Sequence, residues 1–133
     1  MIGPLASGGV VLADATLTGG AYELFQVTLP AGEGPPMHVH RSLDEGFYVV
    51  AGQARFWCDG EVTEAGPGGF VFVRRGTSHR FEAATDHTVV IFTVTPPGLE
   101  GFFREGDELR ANGLSDLEVR QRMSERYDSQ LVT

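Results

Sequence analysis

Short apolar runs separated by glycine and proline are the feature that most constrains how this chain folds. Several such runs follow one another between Val10 and Thr95, each of about strand length. Glycine pairs, a Gly-Pro-Gly-Gly segment and an Asp-Gly pair stand between them, and Asp59-Gly60 is typical of a tight hairpin turn. The pattern predicts an all-β sandwich or barrel rather than a helical bundle.

The chain changes character after Pro96-Pro97-Gly98. The segment that follows is rich in charge and carries apolar residues at helical spacing, and Ser115 followed by Glu118 fits a helix capping box. A length of 133 residues suits one domain with a single core. We expect residues 1–97 to form the β-barrel and residues 98–133 to form a helical extension packed on it.

Charge and composition narrow the classes of partner. The formal net charge of -8 has the wrong sign for neutralising phosphates or anionic lipids, so neither nucleic acid nor a membrane is an expected partner. The single cysteine excludes an internal disulfide, and the segment MIGPLASGGV has no charged leader. No segment approaches the ~20 consecutive apolar residues that span a bilayer. The sequence predicts a cytoplasmic protein.

Three histidines and a glutamate form the candidate site. Residues two apart in a strand project to the same side, so His38 and His40 would form a chelating pair. Glu45 follows a short polar stretch, and a tight turn there would return its carboxylate toward the same volume. His79 stands at another boundary between turn and strand. Three neutral imidazoles and one carboxylate suit a first-row transition metal and leave one or two positions open. His87 is predicted to be a surface residue.

This pattern resembles the two sequence motifs of the cupin superfamily. The first, G-x5-H-x-H-x4-E-x6-G, spans residues 32–52 and is met in full by Gly32, His38, His40, Glu45 and Gly52. The second, G-x5-P-x-G-x2-H-x3-N, spans residues 68–83 and is met by Gly68, Gly76 and His79. Arg74 and Ala83 replace its proline and asparagine, and neither position is a metal ligand of the family.

The resemblance implies a fold and a cofactor. The fold would be a double-stranded β-helix, or jelly roll, carrying a short C-terminal helical extension. The cofactor would be one divalent transition metal ion per chain, bound by His38, His40, Glu45 and His79. Iron, manganese, nickel, copper and zinc all suit these ligands, and the sequence does not choose among them.

Three functions remain open. The chain is similar to small single-domain cupins described as quercetin 2,3-dioxygenase-like, which implies a metal-dependent dioxygenase that acts on a hydroxylated aromatic or enol with dioxygen. Glu45 would then either stay a ligand or accept the substrate's proton as a catalytic base. The second function is a non-oxidative cyclase, isomerase or decarboxylase of polyketide-like substrates, in which the metal is a Lewis acid. The third is a small-molecule binding protein without turnover. We rank them in this order.

Strand alternation also predicts a substrate pocket and a subunit contact. The pocket would be mainly apolar, because residues sharing the face of Glu45 or lying on neighbouring strands are aromatic or aliphatic. The predicted lining residues are Phe47, Val49, Phe56, Phe81, Tyr22, Leu24 and Gln26. The run TVVIFTV is apolar on both faces, which predicts a strand buried against a second subunit and hence a homodimer.

Overall fold

Two antiparallel sheets make up most of this computed structural model, which describes residues 3–5 and 9–132. The larger sheet has the spatial order β1 (Gly3–Pro4), β2 (Val10–Ala13), β3 (Glu23–Leu29), β10 (Thr88–Thr95), β5 (Asp44–Ala51) and β8 (Phe70–Val73). The smaller sheet has the order β11 (Gln130–Leu131), β4 (His38–Val39), β9 (His79–Ala83), β6 (Ala54–Cys58) and β7 (Glu61–Ala65). The predicted all-β jelly roll is confirmed.

The predicted barrel range, 1–97, includes residues 1, 2 and 6–8, which lie outside the described residues, as does residue 133 of the predicted extension. The division of the chain at residue 97 stays a prediction.

Phenylalanines join the two sheets. Phe47 on β5 is 2% exposed, and its ring centroid lies 5.5 Å from that of Phe56 on β6 and 5.1 Å from that of Phe81 on β9. Each of these three strands alternates buried inward residues with outward ones, as facing sheets require. Burying one such ring contributes about 1.5–3 kcal/mol to folding.

Local turn chemistry agrees with the sequence at one place and corrects it at another. Asp59 and Gly60 join β6 to β7 with φ of 48° and 84°, the left-handed conformation that their residue types favour. The first of the apolar runs predicted to be strands, VVLADATL from Val10, is however not one strand. Asp14 accepts a hydrogen bond from the backbone N of Leu17 at 2.8 Å and so caps a short helix, α1 (Ala15–Thr18), which ends the strand at Ala13.

The helical extension is α2 (Glu100–Ala111) and α3 (Asp116–Met123). The predicted capping box is present, with reciprocal hydrogen bonds of 3.2 Å between Ser115 and Glu118. After α3 the chain returns to the barrel and β11 pairs with β4, a strand too short for any periodic signal in the sequence. Among the described residues, no helix combines the length and the apolar composition that crossing a bilayer requires.

A buried carboxylate attaches the extension to the barrel. Glu23 on β3 is 4% exposed, and its carboxylate accepts the backbone N–H groups of Gly98, Leu99 and Glu100 at 2.9, 2.8 and 3.3 Å. These groups precede or open α2, where the helix itself offers them no acceptor. The rings of Phe25 and Phe103 pack beside this contact, with centroids 5.0 Å apart.

We expect Glu23→Ala to lower the free energy of unfolding by about 2–4 kcal/mol, because three backbone N–H groups lose their acceptor in a buried place. Urea unfolding at 25 °C measures the change. Glu64→Ala is the matched control, since it removes an ion pair with Arg55 on a side chain that is 61% exposed, and the expected loss is below about 1 kcal/mol. Equal losses in the two variants would contradict this account of Glu23.

Candidate metal centre

Four buried side chains from both sheets meet at one point. His38 on β4 lies directly opposite His79 on β9 in the strand register. His40 follows β4, and Glu45 is the second residue of β5 in the other sheet. All four are buried, and their potential ligand atoms lie within 4.8 Å of one another. The structure therefore brings together the four residues that the sequence singled out.

The turn between β4 and β5 carries the chain from one sheet to the other. Leu43 in this turn is 4% exposed and anchors it in the core. Asp44 projects away from the four residues, since its carboxylate accepts hydrogen bonds from the backbone N and the guanidinium of Arg75 at 2.8 and 3.0 Å. Those bonds lower the pKa of Asp44. Glu45, one residue further, consequently faces inward.

Hydrogen bonds to backbone carbonyls orient each imidazole. The Nδ1 atoms of His38, His79 and His40 lie 2.7, 2.9 and 2.6 Å from the carbonyl oxygens of Pro36, Thr77 and Asp128. A carbonyl oxygen only accepts, so Nδ1 must carry the proton in all three rings. In the neutral form of each ring, Nε2 is then unprotonated and free to bind another partner. This arrangement is typical of metal-ligating histidines.

Glu45 supplies the negative charge at the centre. Its Oε1 lies 2.9 Å from Nε2 of His40 and 3.1 Å from Nε2 of His79. Burial alone would raise the pKa of Glu45, but the imidazoles of His40 and His79, which offer hydrogen bonds and positive charge when they are protonated, outweigh burial and lower it to about 2. Glu45 is therefore ionised at neutral pH.

The pKa values of His38 and His40 shift in opposite directions. Burial, reinforced by the neighbouring imidazoles of His79 and His40, lowers the pKa of His38 to about 3. Burial also acts to lower the pKa of His40, but the nearby Glu45 carboxylate and Asp128 outweigh burial and raise it. A neutral His38 and an ionised Glu45 are the protonation states that metal ligands need, and wherever His40 is protonated it has to lose the Nε2 proton before it binds an ion.

One buried atom tests whether a metal fits. Nε2 of His40 has no well-directed hydrogen-bond partner among the described residues, although Glu45 lies close to it. Such buried unpaired atoms are rare in folded proteins. A cation placed among three imidazole nitrogens and a carboxylate would satisfy it. The donor set suits a divalent first-row transition metal.

A cavity of about 400 Å³ opens from this group. His38, His40 and Glu45 line it together with six phenylalanines from the sheets and α2: Phe25, Phe47, Phe81, Phe92, Phe102 and Phe103. Polar residues also reach it, among them Arg110, Asp116 and Arg120 of the extension. Asp116 accepts from the guanidinium groups of Arg110 and Arg120 at 2.7 and 2.9 Å, so these charges are already paired. The cavity is thus a largely aromatic space beside a cluster of potential ligands.

Three of the seven predicted lining residues lie on the cavity wall and four do not. Phe47, Phe81 and Gln26 line the cavity. Val49 and Phe56 are 0% and 2% exposed and belong to the packed core behind the wall.

Tyr22 and Leu24 do not lie on the cavity wall. Tyr22 precedes β3 and is 40% exposed, and the inward residues of β3 are Glu23, Phe25 and Val27. The prediction of Tyr22 and Leu24 as lining residues implied the opposite alternation, with Glu23 facing outward. Glu23 tolerates burial because three backbone N–H groups of the extension satisfy it.

Some residues of the site were not predicted from the sequence. The alternation of Phe25 with Val27 on β3 is a signal that could have placed Phe25 on the wall. No local signal points to Asp128, which reaches His40 from 88 residues away. His87 is exposed, as expected.

Comparisons with known proteins agree with this geometry. The sequence profile of the cupin domain matches residues 25–95. Quercetin 2,3-dioxygenase of Bacillus subtilis (strain 168) is 29% identical over 94 residues, which cover 71% of this chain and 28% of that protein. This chain therefore spans less than a third of that relative's length.

Solved structures share the fold. KdgF from Halomonas sp. superposes with a TM-score of 0.61 at 22% identity, covering 70% of this chain and 83% of that one. An RmlC-like cupin protein from Desulfovibrio desulfuricans superposes with a TM-score of 0.58 at 25% identity, covering 67% and 81%.

Proposed function

The chain belongs to the cupin family, and on that premise we propose that it is a metal-dependent dioxygenase acting on a small hydroxylated aromatic or enol substrate. One observation carries the proposal: the buried cluster of three histidines and a glutamate faces an aromatic cavity. The similarity to quercetin 2,3-dioxygenase over 94 residues supports the choice of reaction.

The proposed cofactor is one divalent transition metal ion per chain, held by His38, His40, Glu45 and His79. When bound, such an ion supplies a Lewis acid for a substrate oxygen and, where it is redox-active, a route for electrons to dioxygen. Orientation of the ligands falls to the protein, since the backbone carbonyls fix the three imidazoles before any ion arrives.

The cavity suits a flat, largely apolar substrate. Its volume of about 400 Å³ lies within the ~300–1,000 Å³ common for small-molecule sites. The rings of Phe47 and Phe81, with centroids 5.1 Å apart, offer faces and edges against which an aromatic ring packs. Apolar walls also exclude water, which strengthens the electrostatic interactions of Glu45.

Glu45 serves as a ligand in this proposal. Its carboxylate accepts a proton from a substrate only after leaving His40 and His79, because those two imidazoles keep its pKa low. The ligand role requires no such movement, so the geometry favours it over a role as catalytic base.

We also propose that the outer face of the larger sheet pairs with a second copy of this chain. Tyr48 and Val50 on β5 are 46% and 43% exposed, and Phe70 and Phe72 on β8 are 61% and 56% exposed. A sheet face in contact with water normally carries polar residues. Although 21% of the chain is charged, Asp44 is the one charged residue at an outward position of β5, β8 and β10 within the described chain, and it is paired with Arg75.

The size of this face argues for a second copy. The six strands of the larger sheet are 2 to 8 residues long, lie about 4.8 Å apart and rise about 3.3 Å per residue, so the flat projection of the sheet is roughly 500 Å². A stable interface takes ~800 Å² of accessible surface from each partner, and side chains give a face more accessible surface than its flat projection. An uncharged face on an acidic chain also lets two negatively charged copies meet without like charges facing each other.

The cytoplasmic location and the exclusion of nucleic acid and membrane stay predictions.

The metal proposal predicts that protein purified without added metal contains about one transition metal ion per chain and that His40→Ala loses it. Removing one of four ligands should weaken Zn²⁺ or Co²⁺ binding at least ~100-fold, more than the ~10–100-fold typical of losing a ligand's hydrogen-bond partner. Elemental analysis and chelator competition measure this. His87→Asn is the control, because asparagine tolerates the left-handed backbone at this exposed position (φ 55°). Equal metal contents in both variants would refute the coordination.

The dioxygenase proposal predicts substrate-dependent oxygen uptake when flavonols or catechols are added to protein loaded with Fe²⁺, Mn²⁺, Ni²⁺ or Cu²⁺. An oxygen electrode records the uptake, and His79→Ala should abolish it. Product formed equally well under strict anaerobiosis, or with Zn²⁺, would replace this function with the non-oxidative one. Ligand binding without any product would leave only the binding protein.

The pairing proposal predicts a mass in solution of twice the 14.4 kDa chain. Phe72→Glu should yield monomers, because it places a charge within the apolar face. Val62→Glu is the control, since Val62 is 55% exposed on the other sheet. Sedimentation equilibrium measures the masses and far-UV circular dichroism checks the fold. Monomeric wild type at ~100 μM, or a dimeric Phe72→Glu variant, would contradict the proposal.

A further inference from the structure

The last residues of the described chain run along the stretch that carries two of the four candidate ligands. On β11, Leu131 is the partner of His38 and Gln130 is the partner of Val39. The backbone N of Val132 donates to the carbonyl of Met37 at 3.1 Å. The C-terminal segment, residues 128–132, therefore forms the neighbouring strand on one side of β4, opposite the side where β9 contributes His79.

His40 depends on this segment in a way that the other two histidines do not. Nδ1 of His38 and of His79 each donates to the carbonyl of the residue two positions earlier, so these bonds form within a single local segment. Nδ1 of His40 donates instead to the carbonyl of Asp128 at 2.6 Å. The tautomer and the ring orientation of His40 are thus set from the far end of the chain.

The side chain of Asp128 acts on the turn that follows His40. Its Oδ1 accepts the backbone N–H of Arg41 and its Oδ2 accepts that of Ser42, each at 2.7 Å. Arg41 and Ser42 belong to the turn that carries the chain from His40 to Glu45. Asp128 consequently fixes His40 through its backbone carbonyl and fixes the turn between His40 and Glu45 through its side-chain carboxylate.

Tyr127, which lies between α3 and the C-terminal segment, connects this segment to α2. The hydroxyl of Tyr127 donates to Oε2 of Glu105 on α2 at 2.9 Å. The side-chain amide of Gln130 donates to the carbonyl of Tyr127 at 3.2 Å. Ser129, buried between these contacts, also lines the cavity. The extension is thus connected to the site by a fixed path.

We propose that Asp128 is a positioning residue for metal binding, which holds His40 and the turn to Glu45 in the geometry that the ion requires. This inference rests on the proposed metal site. Two carboxylate oxygens each accepting one backbone N–H restrain the turn more than a single hydrogen bond does, and charge-assisted bonds of this kind are among the stronger ones. Affinity for the ion then depends on a residue that does not touch it.

The test uses the full chain and the metal alone. Asp128→Ala keeps the carbonyl that His40 uses but removes both carboxylate oxygens, and Asp128→Asn keeps one acceptor oxygen. We expect Co²⁺ affinity, measured by chelator competition, to fall ~10–100-fold in Asp128→Ala and by less in Asp128→Asn. The visible absorption bands of bound Co²⁺ should shift in Asp128→Ala, because the ligand geometry relaxes.

Asp86→Ala is the matched control. Asp86 also accepts a distant backbone N–H, that of Ala31 at 2.9 Å, but it lies beyond the opposite end of β9 from His79. Its Co²⁺ affinity and spectrum should equal those of the wild type. A second readout needs no metal: amide hydrogen exchange at Arg41 and Ser42 should accelerate at least ~10-fold in Asp128→Ala and stay unchanged in Asp86→Ala.

The outcomes separate the two proposals. If the wild-type protein bound no Co²⁺, the proposed metal site itself would be refuted, and the positioning role of Asp128 would be refuted with it. Wild-type protein that binds Co²⁺ while Asp128→Ala binds it equally tightly, with the same spectrum, would overturn the positioning role alone. An equal loss of affinity in Asp86→Ala would also overturn it, because the effect would then reflect general loosening of the fold.

Discussion

Proton placement on three imidazole rings is the constraint on which the rest of this site depends. A backbone carbonyl accepts a hydrogen bond and never donates one, so each ring that faces such a carbonyl through Nδ1 carries a proton there, and its neutral form presents an unprotonated Nε2 on its other side. His38, His40 and His79 all meet this condition, and Glu45 occupies the space where the Nε2 atoms converge. Backbone geometry therefore selects both the tautomer and the direction of the ligand atoms. A site built in this way is organised by the fold before anything binds.

The two-sheet architecture places this local arrangement at the wall of a cavity. The histidines come from the smaller sheet or its edge, whereas Glu45 comes from the larger one, so the cluster lies between the layers. The helical extension closes part of the cavity with Phe102 and Phe103 and is anchored to the barrel by the buried Glu23. The aromatic wall of the cavity and the phenylalanines of the extension thus share one hydrophobic core.

The sequence predicted what depends on short spacing and missed what depends on distant contacts. His38, His40 and Glu45 lie within one strand and turn, so their convergence follows from strand alternation and a tight turn. The inward face of β3 was misassigned because burial of Glu23 is stabilised by the start of α2, which lies 75 or more residues away in the chain. The pairing of β11 with β4 and the contacts of Asp128 have no periodic signature at all. Hydrogen bonds of that kind are defined by the folded structure and leave no local pattern.

Four consecutive residues of strand β5, at positions 44–47, each have a different structural role. Asp44 is paired with Arg75, Glu45 belongs to the ligand cluster and Phe47 fills the core. Gly46 between them has little room, since a Cβ there would lie 2.8 Å from the ring of Phe70 and 3.0 Å from Oγ1 of Thr93. Most strands tolerate replacement at every second position, where side chains meet solvent. Systematic substitution along this one should instead find three consecutive intolerant positions from Glu45 to Phe47, so a library that varies them would yield few folded and functional members.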